Sequence, residues 1–176
     1  MDRIEKLLDP RIPVEYIIGS FIVLCLILFG TPIFKRHGAK KFVVLSLCSE
    51  YYFLVLCSTV ICRKSKNTHH VELMPFWNYM DIWNKKDHPN DLIEVILNIV
   101  TFVPIGLLLS GGFRSMKWWH VAIIGCCLSS IIELLQLLTC RGLCETDDVI
   151  HNTIGCVMGV VLFNIIKTIG LKPKMT

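Results

Sequence analysis

Charge is in short supply in this chain. Asp, Glu, Lys and Arg make up 18% of its 176 residues, against about a quarter in a soluble domain. That scarcity excludes an ordinary water-soluble globule. No HExxH, GxSxG or phosphatase signature occurs, so the common hydrolase chemistries have no foothold. No basic stretch is interleaved with aromatics, which argues against a nucleic-acid partner. No internal repeat or low-complexity tract is present. The first apolar block is followed by Thr31-Pro32 and basic residues instead of a small-residue cleavage site, so it is expected to be a retained span and not a signal peptide.

What is present is hydrophobic. Apolar residues account for 53% of the chain and the mean hydropathy is +0.59. They fall into blocks of about 20 residues, the length that crosses a bilayer as a helix. The blocks run over 14–30, 42–62, 92–111, 121–139 and 149–170. The expected architecture is therefore all-α: one integral membrane domain over 1–176, a polytopic bundle of about five transmembrane helices. Between the second and third, Leu73-Met74-Pro75-Phe76-Trp77 reads as a re-entrant or interfacial segment, because a proline turn flanked by aromatics suits the headgroup zone. Pro104 predicts a kink near Val100 in the third block. The cluster at Lys35, Arg36, Lys40 and Lys41 and the basic tail favour the side inside the cell, with the amino terminus outside.

Lipid excludes polar side chains, at about 2.5–3.5 kcal/mol for a mid-bilayer charge on insertion scales. This chain nevertheless carries several at helical spacing. Glu94 and Asn98 share one stripe; Ser129, Glu133 and Gln136 share another; Asp148, Asn152, Gly155 and Gly159 form a third. Asp147 or Thr146 suits the start of the last helix, and Arg141 stands close enough in sequence to neutralise Glu145, Asp147 or Asp148. The small pair Gly155 and Gly159 permits close helix approach.

Metal chemistry finds little support. His69, His70, Glu72 and His88 share no period and read as solvated loop residues. Six of the nine cysteines sit inside predicted spans. Cys140 and Cys144 form a CxxxC pair without partner histidines, a weak zinc signal, and read as unpaired thiols. No metal site is expected, and no cofactor is indicated.

Taken in order, these residues resemble the VanZ-like family. The features are Asn98-x-x-x-Phe102-x-Pro104-x-Gly106, then Ser129-x-x-x-Glu133-x-x-Gln136. Arg141 follows, and then Glu145-Thr146-Asp147-Asp148-Val149-Ile150-x-Asn152-Thr153-x-Gly155-x-x-x-Gly159. Upstream, Leu73-Met74-Pro75-Phe76 is similar to the family's Asn-Leu-x-Pro-Phe element, with Glu72 at the Asn position. The resemblance covers residues 72–163. It departs in a second place, where Glu145 stands for the first Asp of an Asp-x-Asp-Asp run and the loop from Arg141 is one residue longer. The resemblance implies a multi-pass protein of the bacterial cytoplasmic membrane and a link to teicoplanin-type glycopeptide resistance. It supplies no reaction.

Three functional readings stay open, beside a purely structural polar core with function in the loops. In the first, an intramembrane polar site alters the cell surface, or the access of a lipid-bearing drug, without turnover. Its partners would be membrane lipids, a lipoglycopeptide or a lipid-linked cell-wall precursor. In the second, an intramembrane enzyme uses Glu133, with Asp148, on such a lipid. The third is a small carrier or ion-coupled channel subunit, which would need to be oligomeric.

Overall fold

The computed structural model describes residues 17–20, 39–65, 69–77, 79, 89–113 and 115–170. The expected first span at 14–30 lies outside these residues, apart from the helical stretch 17–20. So do Lys35, Arg36, Lys66, Trp83, His88, Arg114, Lys172 and Lys174. Four helices among the described residues are long and apolar enough to cross a membrane: Lys40–Ile61, Leu92–Gly112, Trp118–Thr139 and Thr146–Gly170. At about 1.5 Å per residue, helices of this length match a hydrocarbon core about 30 Å thick.

In chain order, α1 is Ala39–Leu56, continued by a π-helical turn at Cys57–Ile61. Strand β1 follows at His70–Glu72, then α2 at Pro89–Gly112 and α3 at Trp118–Thr139. Strand β2 at Leu143–Glu145 leads into α4 at Thr146–Gly170. The helix of α2 continues through Pro104. One turn before that proline, the Thr101 carbonyl accepts a 2.8 Å hydrogen bond from Tyr51 of α1. Its neighbour Tyr52 donates to the Leu128 carbonyl of α3, also at 2.8 Å. Adjacent tyrosines thus tie α1 to two different helices.

The tightest seam joins α2 to α4. Gly155 lies against the carbonyl of Ile99, and Gly159 against the carbonyl of Val103. Gly106 answers from the other side, facing the Cys156 carbonyl. The contacts advance together along both chains, so the two helices run parallel. A Cβ at any of these positions would strike backbone, which cannot yield as a side-chain tip can. Small residues matter here because lipid tails give apolar helices no hydrophobic reason to associate; close van der Waals packing must do it. Around the seam, Phe102, Ile105, Val121 and Cys156 are almost fully buried.

The blocks of hydrophobicity do not announce the two short strands. They pair in parallel, with His70 opposite Leu143, Val71 opposite Cys144 and Glu72 opposite Glu145. Segments of three residues carry no readable period, and their pairing spans some seventy residues of chain.

The seam predicts a sharp contrast between glycines. Gly155→Val forces backbone apart and is expected to lower thermal stability in detergent by at least the 1–3 kcal/mol typical of overpacking. Gly170→Ala, with nothing within 4 Å of the added Cβ, should leave the melting temperature where it was.

Candidate functional site

Three helices and the π-helical turn enclose a cavity of about 110 Å³. From α3 come Glu133 and Gln136, which with Ser129 form one buried face at steps of four and three. From α4 come Asp148 and Asn152; from α2, Glu94, Asn98 and Thr101. Ser58 and Thr59 of the π-helical turn, Arg63 just beyond it, and Glu145 of β2 complete the polar lining.

The polar groups answer one another, as they must where water is absent. Asn98 Nδ2 donates to Asp148 Oδ1 at 2.6 Å, joining α2 to α4. Asn152 Nδ2 donates to Ser129 Oγ at 2.8 Å, and that hydroxyl in turn donates to the Asp148 carbonyl at 3.5 Å. Glu133 Oε2 accepts the backbone N–H of Glu145 at 2.9 Å, fastening β2 to α3. Gln136 Nε2 donates to the Thr59 carbonyl at 3.4 Å, at the widened π-helical turn. Its own Oε1 is buried with no donor among the described residues.

A left-handed turn starts the return from α3. Cys140 adopts φ 53° and the Arg141 N–H bonds back to the Gln136 carbonyl at 3.0 Å. Gly142 then passes close to the Gln136 side chain, where a Cβ would come within 2.7 Å of Cδ. Lacking a Cβ, the chain can fold over the glutamine and enter β2.

Asp147 and Asp148 do separate work. Asp148 faces the cavity, whereas Asp147, only 2% exposed, accepts the Phe76 N–H at 2.5 Å. Phe76 has φ 64°, a region that a bulky residue occupies only when its surroundings hold it there. The same strap is fixed twice more: Thr146 Oγ1 donates to the Leu73 carbonyl at 3.3 Å, and Tyr79 Oη lies 3.0 Å from His151 Nε2. The segment carrying Pro75, Phe76 and Trp77 is therefore tied to the first turns of α4. His151 is 1% exposed and was not singled out for any role by its sequence context.

Arg141 does not take the place expected for it. Its Nη1 donates to the Ile61 carbonyl at 2.7 Å, closing the end of the π-helical turn. The guanidinium lining the cavity belongs to Arg63, which reads in sequence as one member of a flanking basic cluster. A long side chain reaches where the tertiary fold allows, so proximity in sequence to the acids was the wrong guide. His69 differs too: it is exposed, but its Nδ1 lies 2.9 Å from the Leu137 carbonyl and 3.3 Å from Cys140 Sγ. Cys140 and Cys144 are free thiols.

Chemically, the cavity offers carboxylates and amides. Its lining includes neither histidine nor cysteine among the described residues; its serine, Ser58, donates to the Val55 carbonyl, and Ser129, on the same face of α3 as Glu133, is bonded to an amide and a carbonyl, not to a base. No group of three or more His, Cys, Asp or Glu that could hold a metal ion occurs among the described residues. Just outside the spans, Cys144 reports the local field. Burial pushes its thiol above the ordinary value, and the nearby Glu133, Asp148 and Glu145 push it further.

The profile of the VanZ/LLP1 family matches residues 21–167. Protein VanZ of Enterococcus faecium is 32% identical over 72 residues, which is 41% of this chain and 45% of that protein. The chain thus matches less than half the length of this curated relative. No solved structure matches.

Two outcomes test the local electrostatics. Alkylation of Cys144 by iodoacetamide near pH 8 should lag behind a small-molecule thiol, because its thiolate forms only at higher pH. Glu145→Gln should speed it by removing one of the three raising charges. In the ladder, Glu72 and Glu145 are directly opposed like charges. Glu72→Asn is expected to stabilise the protein by about 0.2–1 kcal/mol, read as a higher melting temperature in detergent.

Proposed function

This chain belongs to the VanZ/LLP1 family, and from that premise we propose that it lowers the susceptibility of a bacterial cell to teicoplanin-type glycopeptides. It does so from the cell membrane, by engaging a lipid headgroup or lipid-linked envelope precursor in its polar cavity. The observation that carries this reading is the coupling of cavity and interfacial strap through consecutive residues: Asp148 faces the cavity and Asp147 holds Phe76. A headgroup in the cavity and a lipid-borne molecule at the strap would then sense each other through one turn of α4.

Size selects the occupant. Pockets that engulf drug-sized molecules run to about 300–1,000 Å³, and this one has about 110 Å³. That is room for three or four waters at about 30 Å³ each, or for one small headgroup. A whole glycopeptide is too large. Exposed Leu73, Met74, Phe76 and Trp77 on the strap supply an apolar surface suited to the lipid tail of such a drug or precursor.

A second reading, an intramembrane acid–base enzyme, draws on Glu133 and Asp148 lining the same cavity. It needs a nucleophile from water or substrate, since the lining serine, Ser58, and the neighbouring Ser129 are both bonded elsewhere. The first reading requires no such addition and is preferred.

Expression in a susceptible Gram-positive host tests both. The intact chain should raise the inhibitory concentration of teicoplanin while leaving vancomycin, which has no lipid tail, nearly unchanged. Glu133→Ala at matched membrane levels should return teicoplanin to the host's baseline. A well-inserted intact protein with no effect on either drug would refute the resistance reading. Turnover of an isolated membrane lipid by the purified chain, abolished in the variant, would favour the enzyme.

A further inference from the structure

Charge is sorted between the two ends of the bundle. α1 and α3 begin at one face, and α2 and α4 end there. Lys40, Lys41, Lys117 and Lys167 stand at that face, and segments 39–44, 108–120 and 160–170 contain no Asp or Glu. Helix dipoles do not decide its sign. Two helix starts and two helix ends contribute about half a charge each, of opposite sign, and cancel. The lysines make the face positive.

A second cavity, of about 300 Å³, opens at this face between the ends of α2 and α4 and the start of α3. Lys117 and Lys167 contribute to its lining from two different helices, with Asn164 beside them. Phe113, Trp118 and Phe163 form apolar walls. The Lys41 ammonium lies 5.9 Å from the centroid of the Phe113 ring, adding a further cation at the rim. Trp118 and Trp119 are 62% and 43% exposed, in keeping with a position at the headgroup level.

We propose that this cavity binds the phosphate of an anionic phospholipid, at a site separate from the acid-lined cavity at the opposite end. Lysine ammoniums are compact point charges suited to phosphate oxygens. The volume reaches the range of true ligand sites, about 300–1,000 Å³. Its aromatic walls favour a phosphate that carries acyl chains over a free ion. The sign of the face favours a lipid with net negative charge over a zwitterionic one, whose own ammonium competes for the phosphate.

Brominated lipids provide the test, because bromine in the acyl chains quenches nearby indoles and Trp118 and Trp119 flank the site. The full chain is reconstituted in phosphatidylcholine vesicles, and brominated phosphatidylglycerol is compared with brominated phosphatidylcholine at equal content. Phosphatidylglycerol should quench at lower mole fraction. The preference should fall by about fivefold for each of Lys117→Gln and Lys167→Gln, and Lys64→Gln, near the opposite end, should leave it intact. Equal quenching by both lipids, or a preference that survives the double variant, overturns the proposal. Loss of the preference on adding millimolar inorganic phosphate at constant ionic strength assigns the site to free phosphate and overturns the lipid.

Discussion

The parallel contact of α2 and α4 is the constraint on which the rest of the site depends. Once Gly155 and Gly159 lie against the Ile99 and Val103 carbonyls, the register of the two helices has no freedom left. Two turns before Gly155 on α4 stands Asp148; one residue before Ile99 on α2 stands Asn98. The seam brings them to 2.6 Å. A methyl group between the helices would separate the pair and leave a carboxylate and an amide in lipid without partners, a cost of several kcal/mol. Apolar packing and polar satisfaction are thus one requirement here.

From Asp148 the constraint spreads outward. The preceding residue, Asp147, points about 100° away around the helix, as the α-helical period requires, and meets the Phe76 N–H. Position and strap are therefore coupled through the helix itself and need no mobile loop. The other anchor of β2, the Glu133 carboxylate on the Glu145 N–H, fixes the start of α4 against α3. Between these two carboxylates the chain has little freedom in how it enters the last span.

Much of this architecture was legible in the sequence, and the limits have physical causes. A stripe such as Ser129, Glu133 and Gln136 declares its shared face because the helical period is local. The spans declare themselves by length and hydropathy. Which of two adjacent acids faces the cavity is not local, since either could do so until the neighbouring helix is in place. The same holds for the guanidiniums: Arg141 is nearer the acids in sequence than Arg63, and only the route of the backbone decides that Arg141 closes the π-helical turn while Arg63 lines the cavity. Nothing local in the sequence marks Tyr51 and Tyr52, yet each spends its hydroxyl on a different helix. The β1–β2 ladder was invisible because three residues cannot show a period. Once the ladder is known, two apparently unrelated departures from the family's pattern, Glu72 and Glu145, turn out to be cross-strand partners.

That pairing bears on what the acid-lined end can accept. Glu72 turns part of its charge inward, accepting the Met74 N–H at 3.1 Å, while Glu145 lines the cavity. Replacing a neutral amide and a shorter acid by two glutamates adds negative charge at the mouth and extends its reach by one methylene. Arg63 stands in the same lining and faces Glu94, Glu133, Glu145 and Asp148. Two unit charges 4 Å apart interact by about 4 kcal/mol at the effective dielectric of a protein surface, so one guanidinium cannot offset this many acids if they are ionised. A bare phosphate is a poor occupant for such a space, and a headgroup presenting a cation or several donors is a good one. At the opposite face the balance is reversed, with lysines and no acid in the described segments. The two ends of the bundle therefore present opposite charge balances: the lysine end suits a net anionic headgroup, and the acid-lined end suits one that carries a cation or several donors beside its phosphate. The helices α2, α3 and α4 thus contribute to two cavities lined by opposite charge.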